Sequence, residues 1–297
     1  MITAILSSRL FTVFTFGLTL IFIFSLPLKI ESQTSYLPFV DSVQISTTAY
    51  SANENPMVLS SVGSTTTFHI NGVVSDQNGW TDISTVTASL YRSGVGSWCT
   101  ANNNNCYFHP ACMFSNSTGT IRSFDCAIEV ANYAEPTDSG SIYSAETWNA
   151  NVIVEDLSAL TGTNSTTNEL LSLLSVSTTN SIDYGNMPVN QTSTSSATLI
   201  ITNRGNVNID VTIASDGMTC TVGSLPAYLQ KWDLADVDYT SMQKTLGATG
   251  QLAGLNLLKQ TSSQTASTGT LYWRIKIPYG VAGGVCSGAT YISASQI

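Results

Sequence analysis

Charge is what this chain has least of. Only 10% of its residues are charged, and Lys plus Arg number 10 against 19 Asp plus Glu. So few cations cannot assemble a basic stripe, which excludes a nucleic-acid partner. With 2 histidines in the whole chain, His69 and His109, and neither near a plausible Ser or Cys nucleophile, a hydrolytic triad is not expected. Lys and Glu are scarce, and no convincing amphipathic helical period occurs. Long apolar runs are missing as well, with one exception. Neither a second such run nor a sortase-type motif lies near the C-terminus, so surface retention is expected to rest on a leader or a partner.

The exception is Leu10 to Leu28, preceded by Arg9 and closed by Pro27 and Lys29. It reads as a signal peptide with a cleavage site after Ile30-Glu31-Ser32, the alternative being an uncleaved anchor, since a spanning helix needs ~20 apolar residues. On either reading residues 1–32 are leader and the bulk is exported. A net charge of −9 suits a soluble exported surface. Ser and Thr make up about a quarter of the chain, a composition that fits pleated sheets better than helices. Asn116, Asn164 and Asn190 open N-glycosylation sequons.

All 6 cysteines lie beyond the leader. In an exported chain an even count reads as disulfides. Their grouping favours Cys99–Cys106 and Cys112–Cys126 as local staples of the first half, and Cys220–Cys286 closing the second.

Period-two alternation marks the strands. Phe68, Ile70, Gly72 and Val74 share a face, as do Val86, Ala88 and Leu90, then Cys126, Ile128 and Val130, then Trp148, Ala150, Val152 and Val154. In the second half Val207, Ile209, Val211 and Ile213 form one inward row, and Leu271, Trp273, Ile275 and Ile277 another. His69, Asp210 and Arg274 fall on outward faces. Short strands between Gly, Asn and Ser loops imply antiparallel sandwiches. The expected architecture is all-β: two immunoglobulin-like sandwiches in tandem, at 40–178 and 181–297. Strands are expected at 41–50, 65–75, 84–92, 121–130, 147–155 and 168–177. A cysteine-rich insertion occupies 93–120, 158–167 forms a long loop, and the boundary falls near Thr179–Ser181.

The run from Ala197 to Val211, with Thr202-Asn-Arg-Gly-Asn-Val207 at its turn, resembles the "TNTGNVPLDV" hairpin of bacterial and archaeal surface Ig-like modules, Hydin-type domains included. The ending Pro278 to Thr290 is similar to their "P-x-G-x-x-A-G-x-Y-S-G" strand, with Cys286 where Tyr is usual. The first half, through Val74-Ser-Asp-Gln-Asn-Gly79 and Trp148 to Asp156, resembles Ig-like domains of secreted proteins from uncultivated small-genome bacteria. The resemblance implies a fold and surface display, and brings no catalytic residues.

Among candidate sites the sharpest is calcium. Asp76, Asn78 and Asp82 span one inter-strand connection and Asp156 opens another at the same end of such a sandwich. The plainer reading makes Asn78-Gly79 a turn and the acids solubilisers. Cys106-Tyr-Phe-His109-Pro-Ala-Cys112 has partial zinc-knuckle spacing, for which disulfides are the preferred fate. Asp125, Glu129, Glu135 and Asp138 are the acids a glycosidase would draw on, with nothing to fix their separation. Asp233, Asp236 and Asp238 read as a solvated rim. Outward aromatics, Trp80, Tyr91, Tyr143, Tyr239 and Tyr272, offer a sugar-stacking platform, with Trp80 and Tyr272 the leading contacts. The expected role is non-enzymatic surface structure or adhesion toward other surface proteins or glycans; the alternative is a carbohydrate-binding module, and a secreted hydrolase ranks third. Membrane contact is expected only through the leader, and no cofactor beyond calcium. N-terminal sequencing of the exported protein should give Gln33 as its first residue; recovery of Met1 in the membrane fraction would make the segment an anchor.

Overall fold

The computed structural model describes residues 34–61, 64–179, 181–280 and 282–297. The apolar segment Leu10 to Leu28 lies outside the described residues. Alternation, not helical period, dictates the local structure: among the described residues there is no α-helix, only strands and three short 3-10 turns. None of these could be a membrane-spanning helix.

The first half contributes β1 (Phe39–Ser46), β2 (Thr65–Ser75), β3 (Ile83–Arg92), β4 (Cys106–His109), β5 (Met113–Thr118), β6 (Ile121–Ala131), β7 (Trp148–Asp156) and β8 (Thr161–Asn168). They form two four-stranded antiparallel sheets, β1-β2-β6-β5 and β4-β3-β7-β8. The inward rows of both sheets meet in one core that holds Phe68, Ile70, Val86, Leu90, Phe124, Trp148, Val152 and Val154. Trp148 is fully buried and its indole N–H donates to the Glu135 carbonyl at 2.9 Å.

The second half contributes β9 (Val176–Thr178), β10 (Gln191–Thr192), β11 (Ala197–Asn203), β12 (Ile209–Ser215), β13 (Met218–Leu225), β14 (Gln230–Asp233), β15 (Lys244–Thr245), β16 (Gln251–Leu252), β17 (Thr268–Ile277), β18 (Ala282–Ser287) and β19 (Thr290–Gln296). One sheet runs β15-β14-β17-β11-β9, with β10 also on β17; β16-β12-β19 and β13-β18 form two others. Leu199, Ile201, Ile209, Val211, Trp232, Leu271 and Trp273 fill a second core. A smaller cluster of Leu225, Leu229, Ile275 and Ile277 packs against Met218, Cys220 and Cys286 of the antiparallel pair β13-β18.

Several outward or loop assignments are overturned. The stretch expected as a loop at 158–167 is mostly β8, paired along its length with β7. Its side chains are polar on both faces, so alternation could not reveal it. Close approach replaces side-chain packing there: a Cβ on Gly162 would lie 2.0 Å from the Pro38 carbonyl oxygen. The expected strand at 168–177 is not formed, and Val176–Thr178 pairs with β11 of the second half instead. The stretch 93–120 is no mere insertion, because β4 and β5 within it complete the two sheets as edge strands. His69 is not solvated: its Nδ1 sits 2.8 Å from Asp125. Arg274 is buried, bonded to the Ser193 and Thr194 carbonyls, the Ser196 hydroxyl and Asp236. Asp210 is buried because it accepts the backbone N–H groups of Val211, Gly254 and Leu255. In each case a polar partner from a distant segment makes burial tolerable.

The two cores hand over between Leu173 and Val176, which pack on the first and second respectively. This connector is clamped by the turn Asn203–Asn206. The fully buried Asn206 accepts the Leu173 N–H at 2.6 Å and donates to the Leu171 carbonyl at 3.1 Å. Gly205 is obligatory there, since a Cβ would meet the Leu173 oxygen at 2.0 Å. Further bridges are Asn132 Nδ2 to the Arg204 carbonyl (2.5 Å), Asn104 with Ser262 (2.9 Å both ways) and Gln296 Nε2 to the Gly140 carbonyl (2.8 Å).

All 6 cysteines are paired, as Cys99–Cys106, Cys112–Cys126 and Cys220–Cys286. Three disulfides point to an oxidising environment. The last closes 66 residues against 7 for the first. Loop-closure entropy then makes it worth about 4 kcal/mol against about 2. Cys220→Ser/Cys286→Ser should therefore lower unfolding stability about twice as much as Cys99→Ser/Cys106→Ser, measured by urea titration. Under mild reductant, alkylation and mass mapping should find the buried Cys112–Cys126 bridge reduced last.

Candidate functional site

The β2–β3 connection is built on an Asx turn. Asp76 Oδ1 accepts the Asn78 N–H at 2.7 Å and its backbone carbonyl accepts the Gly79 N–H at 3.0 Å. Gly79 takes φ 111°, a conformation that side chains resist. The turn is moored on both sides: Asp76 N–H donates to Thr120 O, Trp80 N–H to Gly119 O, and Leu157 N–H to Asp82 O. The last bond brings in the β7–β8 turn, where Asp156 Oδ1 accepts the N–H groups of Ser158 and Leu160, each at 2.8 Å.

These moorings gather three of the four expected ligands. Asp76, Asp82 and Asp156 each place a carboxylate oxygen within 4.8 Å of the others. Asp76 and Asp156 are buried, and Asp82 is partly so. Asp76 Oδ2 is buried with no hydrogen-bond partner. Among the described residues no Lys, Arg or His pairs with Asp76 or Asp82. Arg122, the nearby cation, lies over the Phe114 and Trp80 rings and reaches the Ile83 carbonyl. Burial foremost, then the charges of Asp76 and Asp156, hold the Asp82 carboxyl above its ordinary pKa. The fourth expected ligand is engaged elsewhere, since Asn78 Oδ1 accepts the Tyr36 N–H at 2.8 Å, at the entry to β1.

Three of the acids considered for glycoside chemistry are engaged by separate partners. Asp125 binds His69, Glu135 pairs with the buried Arg92, and Asp138 takes the N–H and hydroxyl of Ser172. Arg92 also pairs with Glu146 and stacks 3.8 Å over Tyr143. Of the supposed rim, Asp236 and Asp238 face Arg274. An open groove of 760 Å³ beside the β13-β18 strand pair is lined by Tyr184, Met187, Met218, Leu225 and Ile275, with Asp183 and Tyr184 as its titratable groups.

The aromatic platform is not assembled. Tyr91 is buried, Tyr143 lies under Arg92, Trp80 is half-buried in the acidic turn, and Tyr272 stands on β17 of the other half. Among the exposed aromatics that alternation missed is Trp98, 96% exposed and next in the chain to the Cys99–Cys106 bridge. Phe108 on β4 (58%) and Met113 on β5 (74%) are exposed in the same cysteine-rich stretch of the chain. The available signal was its place next to a cysteine in a Gly- and Asn-rich loop. Comparison of the sequence with protein-family models and with curated proteins finds no match.

Because folded Asp82 holds its proton more tightly than the unfolded residue, stability contributed at this turn falls as pH rises through the carboxylate range. In chelator, Asp82→Asn should therefore melt above the parent at neutral pH, and that gain should vanish near pH ~3, where carboxyls are protonated.

Proposed function

We propose that the chain is an extracellular or cell-surface protein of two tandem Ig-like sandwiches behind an N-terminal leader, acting in surface structure or adhesion by contact and not by catalysis. Support for the fold comes from strand order: β1-β2-β6-β5 and β3-β7-β8 follow the A-B-E-D and C-F-G arrangement, with β4 added beside C. The order agrees with the resemblance to secreted and surface Ig-like modules. The clamped connector favours two modules held as one contact surface, and the three disulfides favour work outside the cytosol.

The single observation that carries the contact role is Trp98. A tryptophan 96% exposed costs solvation in the free protein, and Trp98 directly precedes the Cys99–Cys106 bridge in the chain. Rigid aromatic anchors of this kind dominate protein and glycan interfaces. Phe108 and Met113, on the edge strands β4 and β5 of the same stretch, are further exposed apolar side chains.

Binding of the exported chain to cell-envelope preparations should fall about tenfold or more in Trp98→Ala, with the melting temperature unchanged. Equal binding by parent and variant defeats the contact role of this edge. Competition by soluble polysaccharide would assign the ligand to glycans, the carbohydrate-binding alternative.

A further inference from the structure

We propose that Asp76, Asp82 and Asp156 bind a calcium ion that fixes the β2–β3 turn and, through Asn78, the chain entering β1. The geometry of this turn supports the site independently of Trp98. Its first support is the cluster itself, three carboxylates from two separate turns within 4.8 Å. The second is independent: Asp76 Oδ2 is fully buried and meets no donor. An ionised carboxylate left so is costly unless a cation supplies the missing partner. Elsewhere the fold answers this problem with protein donors, as when Asp210 receives three backbone N–H groups or Glu135 receives Arg92. Here it does not.

The donor chemistry selects the ion. Only oxygen ligands are present, so a hard cation is favoured over zinc or copper. Ligands drawn from two irregular turns suit the flexible shell of calcium better than the strict octahedron of magnesium. Turn carbonyls and water would fill the remaining positions, as calcium takes six to eight oxygens. Extracellular modules bind calcium at about 0.1–1 mM, which the exported setting would supply.

The consequence lies at Tyr36. Its N–H is held by Asn78 Oδ1, and Asn78 N–H is in turn held by Asp76 Oδ1. An ion on Asp76 therefore stiffens the path from the acidic turn to residues 36–38.

Trp80 lies inside the same turn and serves as the optical probe. On the full exported chain, terbium should give emission sensitised through Trp80, displaced by calcium. Calcium at about 5 mM should raise the melting temperature by about 5 °C over chelator. Asp76→Asn, which keeps the Asx acceptor, and Asp82→Asn should each abolish both effects. Trp80→Phe should lose the emission and keep the melting shift. Calcium should also slow chymotryptic cleavage after Tyr36, and Asn78→Ala should remove that protection while leaving the melting shift. No shift and no emission up to about 10 mM ion overturns the site, as does a shift that survives both Asp variants. Cleavage after Tyr36 that ignores calcium overturns the coupling to β1.

Discussion

A buried asparagine amide both donates and accepts, and this chain joins its parts with that property. Asn206 takes an N–H from Leu173 and gives one to the Leu171 carbonyl, so it acts on the connector as a neighbouring strand would. Asn203 closes the same turn by donating to Val207 and Leu257 carbonyls while accepting from Gly205. Asn168, at the end of β8, donates to the Glu54 carbonyl and accepts from Asn53. Neutral amides satisfy buried backbone groups without the desolvation cost of ions. In a chain with 10% charged residues they are the available means.

The few buried charges follow a complementary rule. Arg92 is enclosed by Glu135, Glu146 and the Tyr143 ring, Arg274 by carbonyls and Asp236, and Asp210 by three N–H groups. Each is compensated within the protein, which is the condition for burying a charge at tolerable cost. The Asp76 turn departs from that rule at one end of the first sandwich. The exposed Trp98, Phe108 and Met113 depart from the pattern of apolar burial. Local exceptions in an otherwise consistent fold are where function is to be sought.

Much of this was legible along the chain. The rows Trp148 to Val154 and Val207 to Ile213 are buried as alternation requires, and Asn78-Gly79 forms its turn. The cysteine pairing is the one that the grouping of the cysteines favoured. β8 was not legible, because a strand with polar residues on both faces carries no period; neither were β4 and β5, which are short edges. Tyr91 and Arg274 sit at outward positions yet are covered by other segments.

What the sequence determined by itself is the all-β class and the inward rows, since a period of two residues is a local property of extended chain. The tertiary structure alone decided that Val176–Thr178 pairs with β11 of the second half, that Asn78 faces Tyr36, and that three acids from two turns share one small volume. Those outcomes depend on contacts between residues far apart in the chain or on which sheet offers a free edge. No local pattern encodes them.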